Sequence, residues 1–422
     1  VRRLAAIDAQ NWWMSAKFPN DQFLLYGFGG VPDDLDAALA EVRTRAQRCP
    51  DLSVQVRDDC RLTYPAWVPR HVGDDQFARY DNELGWNECL DAVAGLADHQ
   101  LDATRTPWTL HVFARVRDVP GAGVGAGAGT GTVVVLQMAH ALADGTRASA
   151  LAAWLLGRPG DVVPVSSSRL PAARLPWRAV QAARTHRRLL RDTASGAVPP
   201  QAPSRPVLRS NAAPSGQRWV RTIVRRRTQI PGPTVTVGVL AAISSALDEH
   251  LRELGDDTAA LGAEVPMAKP GVRHAHNHFG NVGIGLYPEL AVAERSTRIA
   301  ADIADRRRRA AHPAMIASSR AFAATPAPLL RWGTEQFDPA VRAPMVTGNT
   351  VVSSVNRGDA DLHFGNARVV VTAGYPSLSL MMGLTHGVHG IGETVAVSVH
   401  AAQSAIGDID AYVARLDAAL AG

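Results

Sequence analysis

His140 and Asp144, with Gly145 directly after them, are the residues whose types and spacing can do chemistry together. A neutral imidazole accepts a proton from a hydroxyl, thiol or amine within hydrogen-bond reach, and its unperturbed pKa lies close to neutrality. The deprotonated acceptor can then attack an activated acyl carbonyl. An interval of four residues puts both side chains on one face of a regular helix, where the carboxylate orients the ring. In a turn, Asp144 instead stabilises the loop through hydrogen bonds or an arginine, and Gly145 permits a tight approach at a helix start. The spacing leaves both arrangements open.

A base of this kind has to stand at the end of something rigid. Residues 132–138 read as an apolar strand running into His140, and helix formers dominate 148–156. Upstream, 23–28 read as a buried strand, and Leu35, Leu39 and Val42 as the stripe of a helix begun by Asp34. Leu110, Val112, Ala114 and Val116 alternate as in a half-buried strand. The second half adds strand candidates at 220–225, 281–287, 350–355, 367–372 and 394–399, and a helix at 234–247. A last helix, with Ile409, Tyr412, Val413, Leu416 and Leu420 on one face, follows Asp408. The pattern predicts a mixed α/β fold, with no repeat period linking the halves.

At 422 residues the chain exceeds one ordinary domain. The composition changes at Gly157, and proline and serine recur from Pro199 to Pro214, so the expected division is 1–165, a connecting segment 166–215, and 216–422. Apolar residues make up 46% and charged residues 20%, which excludes global disorder. The net charge of +5 is spread over scattered arginines beside 39 acidic residues, so nothing gathers into a nucleic-acid face. Cys49, Cys60 and Cys89 form no CxxC and no disulfide framework, which points to a reducing, cytoplasmic setting. No apolar run is long enough for a membrane span.

Other signals carry less. The glycines of 121–129 all fall on odd positions, so they cannot supply GxGxxG, and the segment reads as a mobile connection between two strands. The arginine-rich stretch 174–191, with Trp177, Val180 and Leu189, reads as a helix that either tethers two domains or lies on anionic lipid. His274, His276 and His278 alternate, but no acid or cysteine completes a metal set, and they are expected at the surface or lining a channel. His386 and His389 lie in a glycine-rich stretch as loop residues, substrate contacts or buried donors. The run 306–309 is a solvated helix face or a phosphate contact. The nine tryptophans are mostly core, with some available to wall a lipophilic channel.

Met138-Ala139-His140-Ala141-Leu142-Ala143-Asp144-Gly145 resembles the HHxxxDG segment of the bacterial wax ester synthase/diacylglycerol acyltransferase family, within the superfamily that includes chloramphenicol acetyltransferase and nonribosomal peptide condensation domains. The family's proposed base falls on His140, while Ala139 replaces its first histidine. The likeness extends along the chain in order: Arg2 to Trp12 with Asp8, Thr106-Pro107-Trp108, Val265-Pro266-Met267 with Gly280-Asn281, residues 350–358, and Gly383-Leu384-Thr385.

The resemblance implies two chloramphenicol acetyltransferase-like lobes with a central channel in which donor and acceptor meet near His140. A crossover from the second lobe would complete the channel, Asp144 would organise the site, and Asn281, Ser353 and Ser354 would shape the acyl site or meet the oxyanion. It implies direct acyl transfer from acyl-CoA, as co-substrate rather than bound cofactor, or from an acyl carrier protein. The acceptor would be a lipophilic alcohol, a diacylglycerol-like lipid or a specialised metabolite, with peripheral contact at the inner face of the membrane in play. An amine acceptor or condensation reaction is the enzymatic alternative, and a degenerate metabolite- or protein-binding module the non-enzymatic one. No Gly-x-Ser-x-Gly elbow or Cys-His pair calls for a covalent acyl-enzyme.

Overall fold

A computed structural model describes residues 1–421 except 124–126, 161, 164 and 166–171. The fold is α/β, with two six-stranded mixed sheets and helices packed against them. In the first sheet the order is His363–Phe364, Ala367–Tyr375, Gln22–Gly29, Gly129–Met138, Trp108–Val119 and Phe77–Gly85. Its pairs are antiparallel except the last. The second sheet runs Phe279–Gly285, Gly262–Ala268, Thr350–Asn356, Leu384–Ile391, Thr394–Ala402 and Arg218–Arg226. Thr350–Asn356 is parallel to both its neighbours, and the other pairs are antiparallel. Residues 363–375, far along the chain, thus complete the first sheet beside Gln22–Gly29.

Each sheet buries one face under helices. Leu24, Tyr26, Val134 and Leu136 pack with Val42 of helix Leu35–Arg48 and Leu151 of helix Gly145–Leu155. The Asp34 cap is present, its carboxylate accepting from Ala37 N at 2.9 Å. In the second sheet, Val352, Val397 and Val399 pack with Leu240 and Ile243 of helix Val235–Glu253 and with Tyr412 and Leu416 of helix Ile409–Ala421. Asp408 caps the latter, accepting from Ala411 N at 3.0 Å.

A third cluster joins the sheets, bringing Leu25, Val371 and Ala373 of the first against Val220 and Ala396 of the second. The closest approach falls on glycine: a Cβ on Gly387 would lie 2.0 Å from the Gly374 carbonyl oxygen. Only a bare backbone fits there. That contact also bears on why 384–391 reads as loop in sequence although it is a buried strand: Gly387 is a packing requirement. Strand Gly262–Ala268 is hidden in sequence by Pro266. The second neighbour of that strand pairs only with Ala263 and Glu264, so the missing N–H costs no ladder bond on that side.

The connection 121–129 joins two antiparallel strands, with Gly129 opening the second and 124–126 outside the described residues. Of the connecting segment, 166–171 also lie outside them; the rest carries helix Leu175–Ala194, which packs against helix Pro313–Ala323. Among the described residues no helix is long and apolar enough to cross a membrane.

Candidate active site

Strand Gly129–Met138 ends two residues before His140, and helix Gly145–Leu155 starts five residues after it. His140 therefore sits in a turn, which decides the Asp144 geometry. The carboxylate is the helix cap, accepting from Arg147 N at 2.9 Å, and it takes Arg273 at 2.8 and 3.2 Å and His278 N at 2.8 Å. It makes no hydrogen bond to the imidazole. Burial works against its ionisation, but the Arg273 guanidinium and the two backbone donors outweigh that and hold its pKa below 3.8. Asp144 is thus a fixed anion that ties the turn to the 273–278 segment.

That segment is the main element sequence reasoning misplaced. His276 is buried, not at the surface or on the channel: it is 2% exposed. An arginine only donates, so Nε2 of His276 accepts from Arg2 Nη2 at 2.7 Å, and Nδ1–H donates to the Leu142 carbonyl at 2.6 Å. Burial, reinforced by Arg147 and Arg2, lowers its pKa to about 3, so the ring is neutral. Asn277 Nδ2 donates to the His140 carbonyl at 2.7 Å and to Asp8 at 3.0 Å. Asp8 also accepts from the backbone N–H of His276 and Asn277, both at 2.9 Å. Burial nevertheless raises its pKa to about 6. Gln22 Nε2 completes the turn by donating to the Ala143 carbonyl.

The His140 turn borders a cavity of about 920 Å³ lined from both sheets. His140 Nδ1 is enclosed without a hydrogen-bond partner among the described residues, and Phe279 stacks on the ring at 5.8 Å and 12°. Burial lowers the His140 pKa below 6.5, while nearby backbone carbonyls and the Asp144 charge oppose the shift. The imidazole is neutral at pH 7 and able to take a proton.

Gly145, Asn281, Ser353 and Ser354 all line the same cavity. Their donors are not equally free. Asn281 Nδ2 donates to Glu264 Oε1 at 2.5 Å, and Ser354 Oγ shares a proton with Thr236 Oγ1 at 2.8 Å. Ser353 has no side-chain hydrogen bond among the described residues. Of the run 306–309, Arg307 alone reaches the cavity. Arg306 donates to the Pro200 carbonyl, Arg308 pairs with Asp305, and Arg309 donates to the Pro199 carbonyl. Among the described residues no tryptophan lines the cavity.

His386 and His389 lie on a strand, not in a loop. His386 is buried between Thr350 Oγ1 at 2.8 Å and Tyr412 OH at 2.7 Å, and His389 faces the cavity. Among the described residues no three potential ligands gather as a metal site. Sequence reasoning missed the roles of Asn277, Gln22 and Phe279; only the nearness of Asn277 to Arg273 and the alternating histidines marked that segment.

No family model and no curated protein matches the chain. Solved structures do. The wax ester synthase/diacylglycerol acyltransferase from Marinobacter aquaeolei VT8 superposes with a TM-score of 0.63 at 17% identity, covering 99% of this chain and 98% of that one. The starter condensation domain of rhizomide synthetase, solved with C8-CoA, superposes at 0.57 and 13% identity, covering 100% and 95%. At these identities the likeness is one of fold: the chain has the architecture shared by wax ester synthase and condensation-domain acyltransferases.

Proposed function

We propose that the chain is an acyl-CoA-dependent acyltransferase that uses His140 as general base in direct transfer between two co-bound substrates. The observation that carries this reading is a neutral imidazole on a turn whose His140, Leu142 and Ala143 carbonyls are held by Asn277, His276 and Gln22, at the wall of a cavity large enough for two reactants. In the reaction, His140 takes the proton of the acceptor hydroxyl. The new alkoxide attacks the thioester carbonyl, a C–O bond forms, and the tetrahedral oxyanion collapses with cleavage of the C–S bond. Imidazolium returns the proton to the leaving thiolate, so the enzyme ends as it began. Ser353, whose hydroxyl is uncommitted on the cavity wall, is the residue assigned to the oxyanion. Asp144 holds the turn and takes no proton.

In this reading the segments 1–165 and 216–422 form two lobes around a central channel, with residues 363–375 crossing to the first. Arg307 on the cavity wall suits the phosphates of coenzyme A or of a carrier-protein arm. The acceptor is an alcohol, whether lipid or specialised metabolite. One observation favours an amine instead: Glu264 puts a carboxyl on the cavity wall, where it would hold an ammonium. Helix Leu175–Ala194 leaves Trp177 and Leu190 exposed among its arginines, which suits peripheral contact with an anionic membrane; flotation with anionic vesicles measures it.

The test is incubation with acyl-CoAs of graded length and a panel of alcohols, diacylglycerol and amines, with mass detection of acylated product and free coenzyme A. His140→Ala should lower transfer by about 10²–10⁴-fold with the circular dichroism unchanged. Full activity in that variant removes the base, and ligand binding without turnover in the parent favours a binding module.

A further inference from the structure

The neighbouring strands Gly262–Ala268 and Phe279–Gly285 put a carboxyl on the cavity wall that nothing in the chain neutralises. Ala263 and Ile284, directly opposite each other, pack into the core under the helices. Alternation therefore turns Glu264 and Asn281 to the other face of the sheet, toward the cavity both residues line. The cross-strand partner of Glu264 is Gly283, and the space a Cβ would fill there is taken by Ala202 Cβ at 2.9 Å and the Thr347 carbonyl oxygen at 3.0 Å. The carboxyl lies instead over the diagonal neighbour Asn281, whose Nδ2 donates to Oε1 at 2.5 Å.

Only half of the carboxyl is spent in this way. Oε2 makes no hydrogen bond among the described residues and stays open to the cavity. A carboxylate only accepts, so Asn281 turns its nitrogen to Glu264 and keeps its own oxygen as a second acceptor. Among the described residues no arginine, lysine or histidine pairs with Glu264, whereas Asp144 on the same wall holds Arg273. Burial raises the Glu264 pKa, and the Asn281 hydrogen bond opposes the shift with no help from a cation. A half-enclosed carboxylate without a counter-ion is costly, and a cation brought by a ligand would offset that cost.

The subsite is close to the base without touching it. Phe279, whose ring stacks on His140 at 5.8 Å, follows Asn281 on the same strand face, about 7 Å away at two residues of strand rise. An ammonium held by Glu264 keeps its proton and is no nucleophile, so the group that reacts at His140 is a different one.

We propose that Glu264, oriented by Asn281, forms a recognition subsite for a substrate ammonium that is not itself the reacting group. Resting on the transferase reading, this gives one of the two substrates a cationic substituent a few bonds from its reacting atom: an amino alcohol or diamine as acceptor, or an amino-substituted acyl chain on the donor.

Two measurements on the full chain test it. The first is calorimetric titration with hexylammonium chloride and with 1-hexanol, at pH 7 and about 0.15 M salt. Hexylammonium should bind at least about tenfold tighter. Glu264→Gln should abolish the preference without lowering the thermal midpoint, since the carboxylate it removes has no partner charge. Glu264→Asp, which draws the charge back by one methylene, should retain part of the preference. Hexylammonium binding that is absent or no tighter than that of hexanol overturns the subsite. So does a preference that survives undiminished in Glu264→Gln or, if that variant does not fold, in Glu264→Asp. The second measurement is turnover: dimethylamino alcohols, which cannot be acylated on nitrogen, against alcohols of matched length, and acyl-CoAs with and without a terminal amino group. A kcat/KM preference for the cation in one arm names the substrate that carries it. Turnover without preference in either arm overturns the subsite and leaves the transferase. Hexylammonium preference with no turnover of any pair keeps the subsite and overturns the transferase.

Discussion

Asn277 holds the backbone carbonyl of His140 at 2.7 Å through the same amide nitrogen that reaches Asp8 at 3.0 Å. The base is therefore positioned by its main chain, from a segment 137 residues away, while its ring is left to the cavity. Asn277→Ala should lower kcat by about ten- to a hundredfold with a smaller change in KM, because a displaced turn misplaces the base rather than the binding walls. The loss of one buried hydrogen bond should also cost about 1–3 kcal/mol in urea unfolding. An unchanged kcat alongside lost stability would mean the contact is only structural.

Asp144 and Arg273 form the ion pair behind the turn, the carboxylate almost fully buried and the arginine partly so. Arg273→Ala leaves the carboxylate with two backbone donors and no cation. Its partial exposure limits the expected loss to about 1–3 kcal/mol, below that of a fully enclosed pair. Asp144→Asn removes the charge but keeps the shape, and its amide N–H would face donors. The larger loss of stability is expected from Asp144→Asn, read by thermal unfolding of the two variants side by side.

The pH dependence of kcat/KM should show an acid limb from His140. The base works neutral, and burial lowers its pKa below 6.5. Activity should therefore rise with pH, with the midpoint of the limb under 6.5. A midpoint above 7 in the free enzyme would contradict a desolvated, neutral imidazole.

Stability should fall on acidification. Burial holds His276 and His386 at about 3 and His400 at about 4, against 6.5 when unfolded. Their folded pKa values are depressed, so the stability they contribute is present above 6.5 and is lost as pH falls toward 3–4. Asp8 and Asp21 work the other way, since burial raises both from 3.8 to about 6 and their contribution is lost as pH rises through that value. Three histidines against two carboxyls leave net proton uptake on unfolding near pH 5, each net proton worth about 1.4 kcal/mol per pH unit. Urea midpoints measured from pH 7 to 5 should fall; a flat or rising profile would contradict the neutral buried histidines.

Read alone, the amino-acid order marks His140, Asp144 and Gly145, because a strand pattern, a turn and a helix pattern meet there within a few residues, and those periodicities are local. The Asp34 and Asp408 caps are legible for the same reason. The sequence does not carry what the turn is tied to. Arg273 meets Asp144 across 129 residues, and His276 reaches Leu142 across 134. Such contacts depend on strand order and on the close passage of two sheets at Gly374 and Gly387, which no local pattern encodes. For the same reason the strand 384–391 looks like a glycine-rich loop until its neighbours are in place. The chemistry of the base is a property of one short segment; its neutrality and its fixed backbone are products of burial, which only the tertiary fold creates.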